Sequence, residues 1–274
     1  MSLSDALKFD DQRRLRRIDF LPQEDAKPVE KPVRVRDRVQ LSLPVRVHCR
    51  ETLDFEWTDM SRLRDVTPFG ARFPLKHPTE IGRLLHLTMP MPRALRVFDH
   101  IEDHYRVWCV VRNLKLLDPA KEQGAIVEVG VAFIGKRPPR SFTDDPSNRY
   151  DITASNTEQM WSVTDDRGGP VLINQLNPKI QRESRHTIPI GVSIETFDEK
   201  GALSKAENTV TENISLHGAS VFTSARLTRG RFVKISSEQP RASLLAVVRE
   251  SQTGGDGVSR LHLEFVGREW PLGA

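Results

Sequence analysis

No apolar run in this 274-residue chain approaches the ~20 residues that a membrane-spanning helix requires. The opening Met-Ser-Leu-Ser-Asp-Ala lacks the apolar core of a signal peptide, so the expected location is cytoplasmic. Cysteine is scarce. Cys49 and Cys109 are the only two and form no metal spacing, which excludes a disulfide framework and reads as buried thiols in a reducing compartment. Aromatic residues make up only 7%, too sparse along the basic part of the chain for an evident base-stacking surface, so nucleic acid is not an expected partner. Catalytic signatures are missing too: there is no G-x-S-x-G, no H-E-x-x-H and no phosphate-cradling glycine loop. His48, His86, His100, His104 and His217 are scattered. The chain is therefore not expected to be an enzyme, to hold a metal or to carry a cofactor. A sustained three-to-four-residue apolar period is also lacking, which argues against a helical domain.

What is present is a soluble globular composition, 38% hydrophobic and 28% charged, in a chain long enough for two domains. The net charge of +4 is unevenly spread: −1 over residues 1–30, +7 over 31–140, −4 over 141–178 and +2 over 179–274. Residues 1–30 read as a polar tail ending in the proline-punctuated Lys27-Pro-Val-Glu-Lys-Pro32, and Arg13–Arg17 as part of that solvated or helical tail. From Val39 to Cys49 the odd positions are apolar and the even ones are Gln40, Ser42, Pro44, Arg46 and His48, a period-two strand with one wet face. Pro44 cannot donate to a ladder and suggests an edge or a bulge.

Further strands are expected at Arg62–Val66, Gly70–Leu75, Arg83–Met89, Tyr105–Leu116 and Ala125–Ile134. Residues 141–178, with Asp144-Asp-Pro-Ser-Asn148 and Asp165-Asp-Arg-Gly-Gly-Pro170, read as an acidic linker with a short ordered piece near Met160–Val163 or Val171–Ile173. Alternation then resumes at Ile188–Ile194 and continues at Thr209–Ile214, Gly218–Thr223, Arg231–Ile235, Ala242–Arg249 and Arg260–Val266.

The second half repeats the first. Asp65-Val-Thr-Pro-Phe-Gly-Ala-Arg-Phe73 returns as Asn213-Ile-Ser-Leu-His-Gly-Ala-Ser-Val221, 148 positions later. Arg38 and Arg185, just upstream of each alternating run, are 147 positions apart. Val110-Val-Arg112 matches Val247-Val-Arg249, and Val129–Phe133 matches Leu261–Phe265. The chain is a tandem duplication of one β-domain. Alone, D-x-T-x-x-G is a turn joining two strands. Arg72, Arg112 and Arg249 read as barrel-surface charges, and Trp57, Trp108, Trp161 and Trp270 as core.

An R-x-x-x-R element before the first strand, a [D/N]-x-[S/T]-x-x-G element one hairpin later, and V-V-R and G-x-x-F near the end resemble the PilZ domain. The resemblance covers about residues 31–137 and 179–268. It implies an all-β chain of two six-stranded antiparallel barrels, 31–140 and 179–274, joined by the acidic linker 141–178. It also implies cyclic di-GMP as ligand. In barrel 1 the implied ligand residues are Arg34, Arg38, Asp65, Thr67 and Gly70; in barrel 2 they are Arg182, Arg185, Asn213, Ser215 and Gly218. Barrel 1 keeps the full R-x-x-x-R but has threonine where the family usually has serine. Barrel 2 keeps the serine but has Gln181 four residues before Arg185. Barrel 1 is therefore the favoured site.

Arginine suits this ligand, because its planar fork pairs bidentately with phosphate oxygens or with guanine O6 and N7. The expected mechanism is ligand-induced ordering of the Arg34–Arg38 lead-in, with the anionic nucleotide competing against the acidic linker for the positive barrel. The alternative is a PilZ scaffold that has lost ligand binding in one or both copies and serves as an interaction module for an unidentified protein partner.

Overall fold

The computed structural model describes residues 39–154, 161–166, 184–204 and 206–272, which lie within one compact unit, Arg38–Ala274. It is almost entirely β. The strands are β1 (Pro44–Arg50), β2 (Glu56–Arg62), β3 (Asp65–Thr67), β4 (Gly70–Leu75), β5 (Leu84–Met89), β6 (Tyr105–Leu116), β7 (Val127–Gly135), β8 (Arg149–Ala154) and β9 (Trp161–Asp166). They continue with β10 (Gly191–Thr196), β11 (Glu207–Ile214), β12 (Gly218–Phe222), β13 (Phe232–Glu238), β14 (Arg241–Thr253) and β15 (Ser259–Val266). The helical pieces among the described residues are one turn each, at Arg93–Leu95 and Ser141–Asp144. No helix among them is long and apolar enough to cross a membrane.

The second copy is a closed six-stranded antiparallel barrel, β10-β11-β12-β15-β14-β13. The first is a curled seven-stranded sheet, β2-β1-β5-β6-β7-β4-β3. Both have the same circular order once β2 and β3 are taken together as the counterpart of β11. The extra strand arises because Leu63 and Arg64 interrupt the ladder: the Leu63 N–H donates to Leu43 O and the Arg64 N–H to Arg72 O. The duplication extends to irregularities. The β6–β7 ladder skips a residue after Val111, and the β14–β15 ladder after Val248, so Arg112 and Arg249 are the bulged residues of matching β-bulges.

Inward-facing alternate residues fill each barrel. Val45, Val47, Phe73, Leu87, Val107 and Phe133 are among those sealed in the first, and Ile214, Val221, Ile235, Ala246 and Leu261 in the second. Complete burial of such a side chain contributes about 1.5–3 kcal/mol. Trp57 and Trp270 are core residues, as expected.

Three expectations are corrected. Strand β2 is not among the strands expected from the sequence. Pro44 is not on an edge strand: it opens β1, which lies between β2 and β5, and the β5 ladder begins only at Arg46, so the missing N–H breaks nothing. The ordered piece expected near Met160–Val163 is present: β9 pairs with β8 in an antiparallel hairpin, on which Tyr150 packs with Leu84, Val110 and Phe142, and Arg112 of β6 pairs with Asp151. The candidate ordered piece Val171–Ile173 lies outside the described residues.

The third correction concerns Arg249, which is not a surface charge but part of the contact between the two barrels. Glu80, 4% exposed, receives the Arg249 guanidinium on both oxygens, the Arg83 Nη2 at 2.8 Å, and Arg149 at 3.8 Å. Arg249 also donates to Glu264 at 2.7 Å. Arg83, with no exposed surface, reaches Gly230 O at 3.2 Å, and Arg231 reaches the Glu51 carboxylate at 3.2 Å. An apolar cluster of Phe197, Phe232, Val247 and Val266, with Leu114 and Ile126 of the first barrel against it, completes the contact.

The two main carboxylates of this contact behave oppositely. Burial pushes Glu80 up, but Arg249 and Arg83 outweigh it and bring its pKa down from 4.5 to about 2. Burial wins for Glu51, whose pKa is raised despite Arg231 and Arg83. Because the folded pKa of Glu80 is depressed, its stabilisation is present above pH 4.5 and is lost as pH falls through about 2. Glu80→Gln is expected to cost about 3–5 kcal/mol by leaving buried guanidiniums uncompensated. It should also make the fall of stability between pH 4.5 and about 2 shallower, as read by urea denaturation across that range. A variant within about 0.5 kcal/mol of the parent, the range of ordinary surface changes, would contradict this role.

Candidate functional site

The repeated motif forms the same turn in both barrels. Pro68 and Phe69 link β3 to β4, and Leu216 and His217 make the matching link before β12. The hydroxyl closes the turn. Thr67 Oγ1 donates to Gly70 O at 3.3 Å and accepts from the Phe69 N–H at 3.2 Å. Ser215 Oγ donates to Gly218 O at 3.3 Å and accepts from the His217 N–H at 3.4 Å. A hydroxyl has one donor and two acceptor sites, so one acceptor site is left for anything bound outside.

The glycines are required by crowding. A Cβ on Gly70 would stand 2.2 Å from Val131 O, and one on Gly218 would stand 2.5 Å from Leu263 O. Neither glycine has a positive φ, so close approach of the next strand, rather than backbone freedom, selects glycine here.

The lead-in meets this turn in the same way twice. Val39, the residue after Arg38, exchanges both backbone hydrogen bonds with Val66, each 3.0 Å. His186, the residue after Arg185, does so with Ile214 at 2.8 and 3.0 Å. Val66 and Ile214 are the middle residues of Asp65–Thr67 and Asn213–Ser215. A two-hydrogen-bond bridge thus ties the chain just beyond each motif arginine to the motif turn. Arg185 is exposed, while Arg34, Arg38 and Arg182 lie outside the described residues.

The first motif residue differs between the copies. Asp65 is 5% exposed and faces Arg72 across the β3–β4 ladder, with Arg72 Nε at 2.7 Å from its Oδ2. Arg72 is therefore the ionic partner of the motif acid, which its place in the sequence did not reveal. In the second barrel Asn213 faces Ser220 instead. Beside them, Arg64 Nε lies 2.9 Å from Glu128, whereas the matching positions carry Glu212 and Arg260, 2.8 Å apart. The cross-strand pair is kept and its polarity is reversed. The Arg260 hydrogen bond holds Glu212 below the usual carboxylate range.

No family model matches the chain, and no curated protein matches it in sequence. Among solved structures, it is similar to the Bacillus subtilis inhibitor of motility MotI/DgrA (12% identity, 84% of this chain and 90% of that one, TM-score 0.28). It is also similar to Escherichia coli YcgR in complex with c-di-GMP (11%, 82% and 76%, TM-score 0.26) and to a K. pneumonia MrkH–c-di-GMP complex (6%, 82% and 79%, TM-score 0.25). At such scores the likeness carries no weight of its own, and the site is read from this chain's residues.

A second feature is repeated between the copies. Gly82–Arg83 and Gly230–Arg231 occupy matching turns, with φ of +90° at Gly82 and +95° at Gly230. The Gly82 N–H donates to Val111 O and the Gly230 N–H to Val248 O, both at 2.8 Å. A two-residue repeat inside otherwise different loops is too short to stand out. The clearer signal was that both pairs precede an apolar strand by one residue.

Gly70→Ala and Gly218→Ala are each expected to destabilise by about 1–3 kcal/mol, since the added methyl meets a backbone carbonyl that is held in a ladder. Urea midpoints at constant slope would measure this, and an unchanged midpoint would refute the crowding account.

Proposed function

We propose that the chain is a receptor for cyclic di-GMP of the PilZ kind, with Arg34, Arg38, Asp65, Thr67 and Gly70 of barrel 1 forming the preferred site. The observation that carries this reading is the repeated bridge between the arginine lead-in and the [D/N]-x-[S/T]-x-x-G turn. In support of this reading, the bridge seats Val39, the residue after Arg38, and His186, the residue after Arg185, beside the acid or amide and the hydroxyl of each turn. Arginine forks would take the phosphates or the guanine O6 and N7 edge, and Asp65 would accept from guanine N–H groups. Arg72 would hold that carboxylate in place while it does so. The role is reception rather than catalysis, and turnover of the nucleotide by purified protein would overturn it.

In barrel 2, Arg182, Arg185, Asn213, Ser215 and Gly218 form a weaker site. A second reading, that barrel 2 is an interaction scaffold, is favoured by the use of its Arg231 and Arg249 in holding barrel 1. Both readings place the output away from rotation of one barrel against the other, because that movement would break buried ion pairs. The lead-in and the acidic hairpin, joined to β6 through Arg112 and Asp151, are the elements through which binding would be communicated.

Calorimetric titration of the full chain with cyclic di-GMP tests the assignment. Arg38→Ala or Asp65→Ala should weaken binding by about 2–5 kcal/mol, the cost of removing one partner of a desolvated charge pair, and Arg185→Ala by less. Equal losses for Arg38→Ala and Arg185→Ala would sink the preference for barrel 1. No binding by the parent would leave the scaffold reading alone.

A further inference from the structure

Arg46 and Arg106 lie on the two strands that flank β5 in one wall of the first barrel. Alternation turns Arg46 and His48 of β1, His86 and Thr88 of β5, and Arg106 and Trp108 of β6 outward. The registers align them in two rows. Arg46 pairs with Thr88, which pairs with Arg106; His48 pairs with His86, which pairs with Trp108. The rows are two residues apart, about 7 Å, and the arginine backbones are two strand spacings apart, about 10 Å. Both arginines are exposed, and among the described residues neither has a carboxylate partner. The ring row is ordered: His86 and Trp108 have centroids 5.0 Å apart, and Trp108 is held edge-on to Phe142 at 5.1 Å.

The fold does not demand this arrangement. Register-matched positions in the second barrel are Ser193, Glu195, Lys234, Ser236, Ser243 and Leu245. Their single cation, Lys234, is neutralised by Glu195 at 3.0 Å. An unpaired arginine row beside a ring row therefore belongs to the first barrel alone.

We propose that this outer wall of β1, β5 and β6 binds single-stranded nucleic acid, with phosphates on Arg46 and Arg106 and bases against His48, His86 and Trp108. Charge complementarity calls for a polyanion, and the ring row decides which one. An acidic polypeptide would occupy the arginines and leave the rings unused. A duplex keeps its base faces stacked inside, whereas a single strand offers both phosphates and free π-faces. The sparse aromatics of the basic half pointed away from nucleic acid when read along the chain, but strand pairing gathers three rings from positions 48, 86 and 108 into one row.

Fluorescence anisotropy with the full chain and a labelled mixed-sequence oligonucleotide, over a salt series, tests this. The expected result is binding to the single strand that weakens about tenfold or more in Arg46→Gln/Arg106→Gln, with the salt slope reduced by about 1.4. His86→Ala should weaken binding without changing that slope, and Lys234→Ala should change neither. Unaltered binding in the double variant, equal or tighter binding of the duplex, or equal competition by polyglutamate would each overturn the proposal. Cyclic di-GMP binding by the same variants should match the parent, which keeps this wall distinct from the proposed nucleotide site.

Discussion

The contact between the barrels rests on two arginines that occupy the same position in the two copies. Arg83 and Arg231 each follow a glycine whose positive φ sharpens the turn before an apolar strand, and both guanidiniums are directed into one interface. Arg83 is sealed from solvent and reaches backbone oxygens on both sides, Glu51 O and Gly230 O, as well as the Glu80 carboxylate. Gly230 could not be larger, because a Cβ there would stand 2.4 Å from that of Ser147. Burying so many charges is favourable only when each is compensated, and Glu80 does this by accepting from Arg83 and Arg249, with Arg149 3.8 Å away. The opposite shifts of Glu80 and Glu51 show the balance locally: the first has cations enough to outweigh desolvation, and the second does not.

That contact also bears on how a ligand signal could travel. A hinge would require a thin, weakly compensated interface, and this one is both apolar and ionic. The bridges of Val39 to Val66 and of His186 to Ile214 are, by contrast, two hydrogen bonds each at the margin of a sheet. Elements held by few contacts open at lower free energy than those in the core. Val39 and His186 are thus each attached by a single two-hydrogen-bond bridge beside a motif turn, whereas the barrels are joined by a buried ionic and apolar contact.

Much of the fold was legible in the sequence, and the failures have physical causes. Duplication could be read because the turn motif, the Val-Val-Arg bulges and the alternating runs recur in order. Strand β2 could not, because its pattern is inverted: Asp59 points inward, where it accepts the Lys76 N–H at 2.8 Å and lies 3.6 Å from His77, while Met60 points out at 64% exposure. An acid on the buried face and a methionine on the wet one cancel the hydrophobic signal. In the acidic segment the sequence pointed only to a short ordered piece at β9, because β8 has few apolar residues; Tyr150, Ile152 and Val163 pack the hairpin against Leu84, Val110 and Phe142. Of the candidate site, the turn hydroxyls and glycines were found by spacing. The partners of Asp65 and Glu80 were not, since Arg72 lies across a ladder and Arg249 lies 169 residues away.

Differences between the copies separate what the barrel needs from what each copy does. At the Arg64–Glu128 position the second barrel has Glu212–Arg260 at nearly the same distance, so the sheet requires a cross-strand pair there and is indifferent to its sign. Such a pair is a packing device, and the second copy meets the need with the charges exchanged. At the Arg46 and Arg106 positions the second barrel has two serines, and the sheet forms equally well without any charge. A cation that the fold pairs is accounted for by the fold. The cations of this wall are left unpaired by a sheet whose twin does without them, so the fold does not account for them and the proposed polyanion site does.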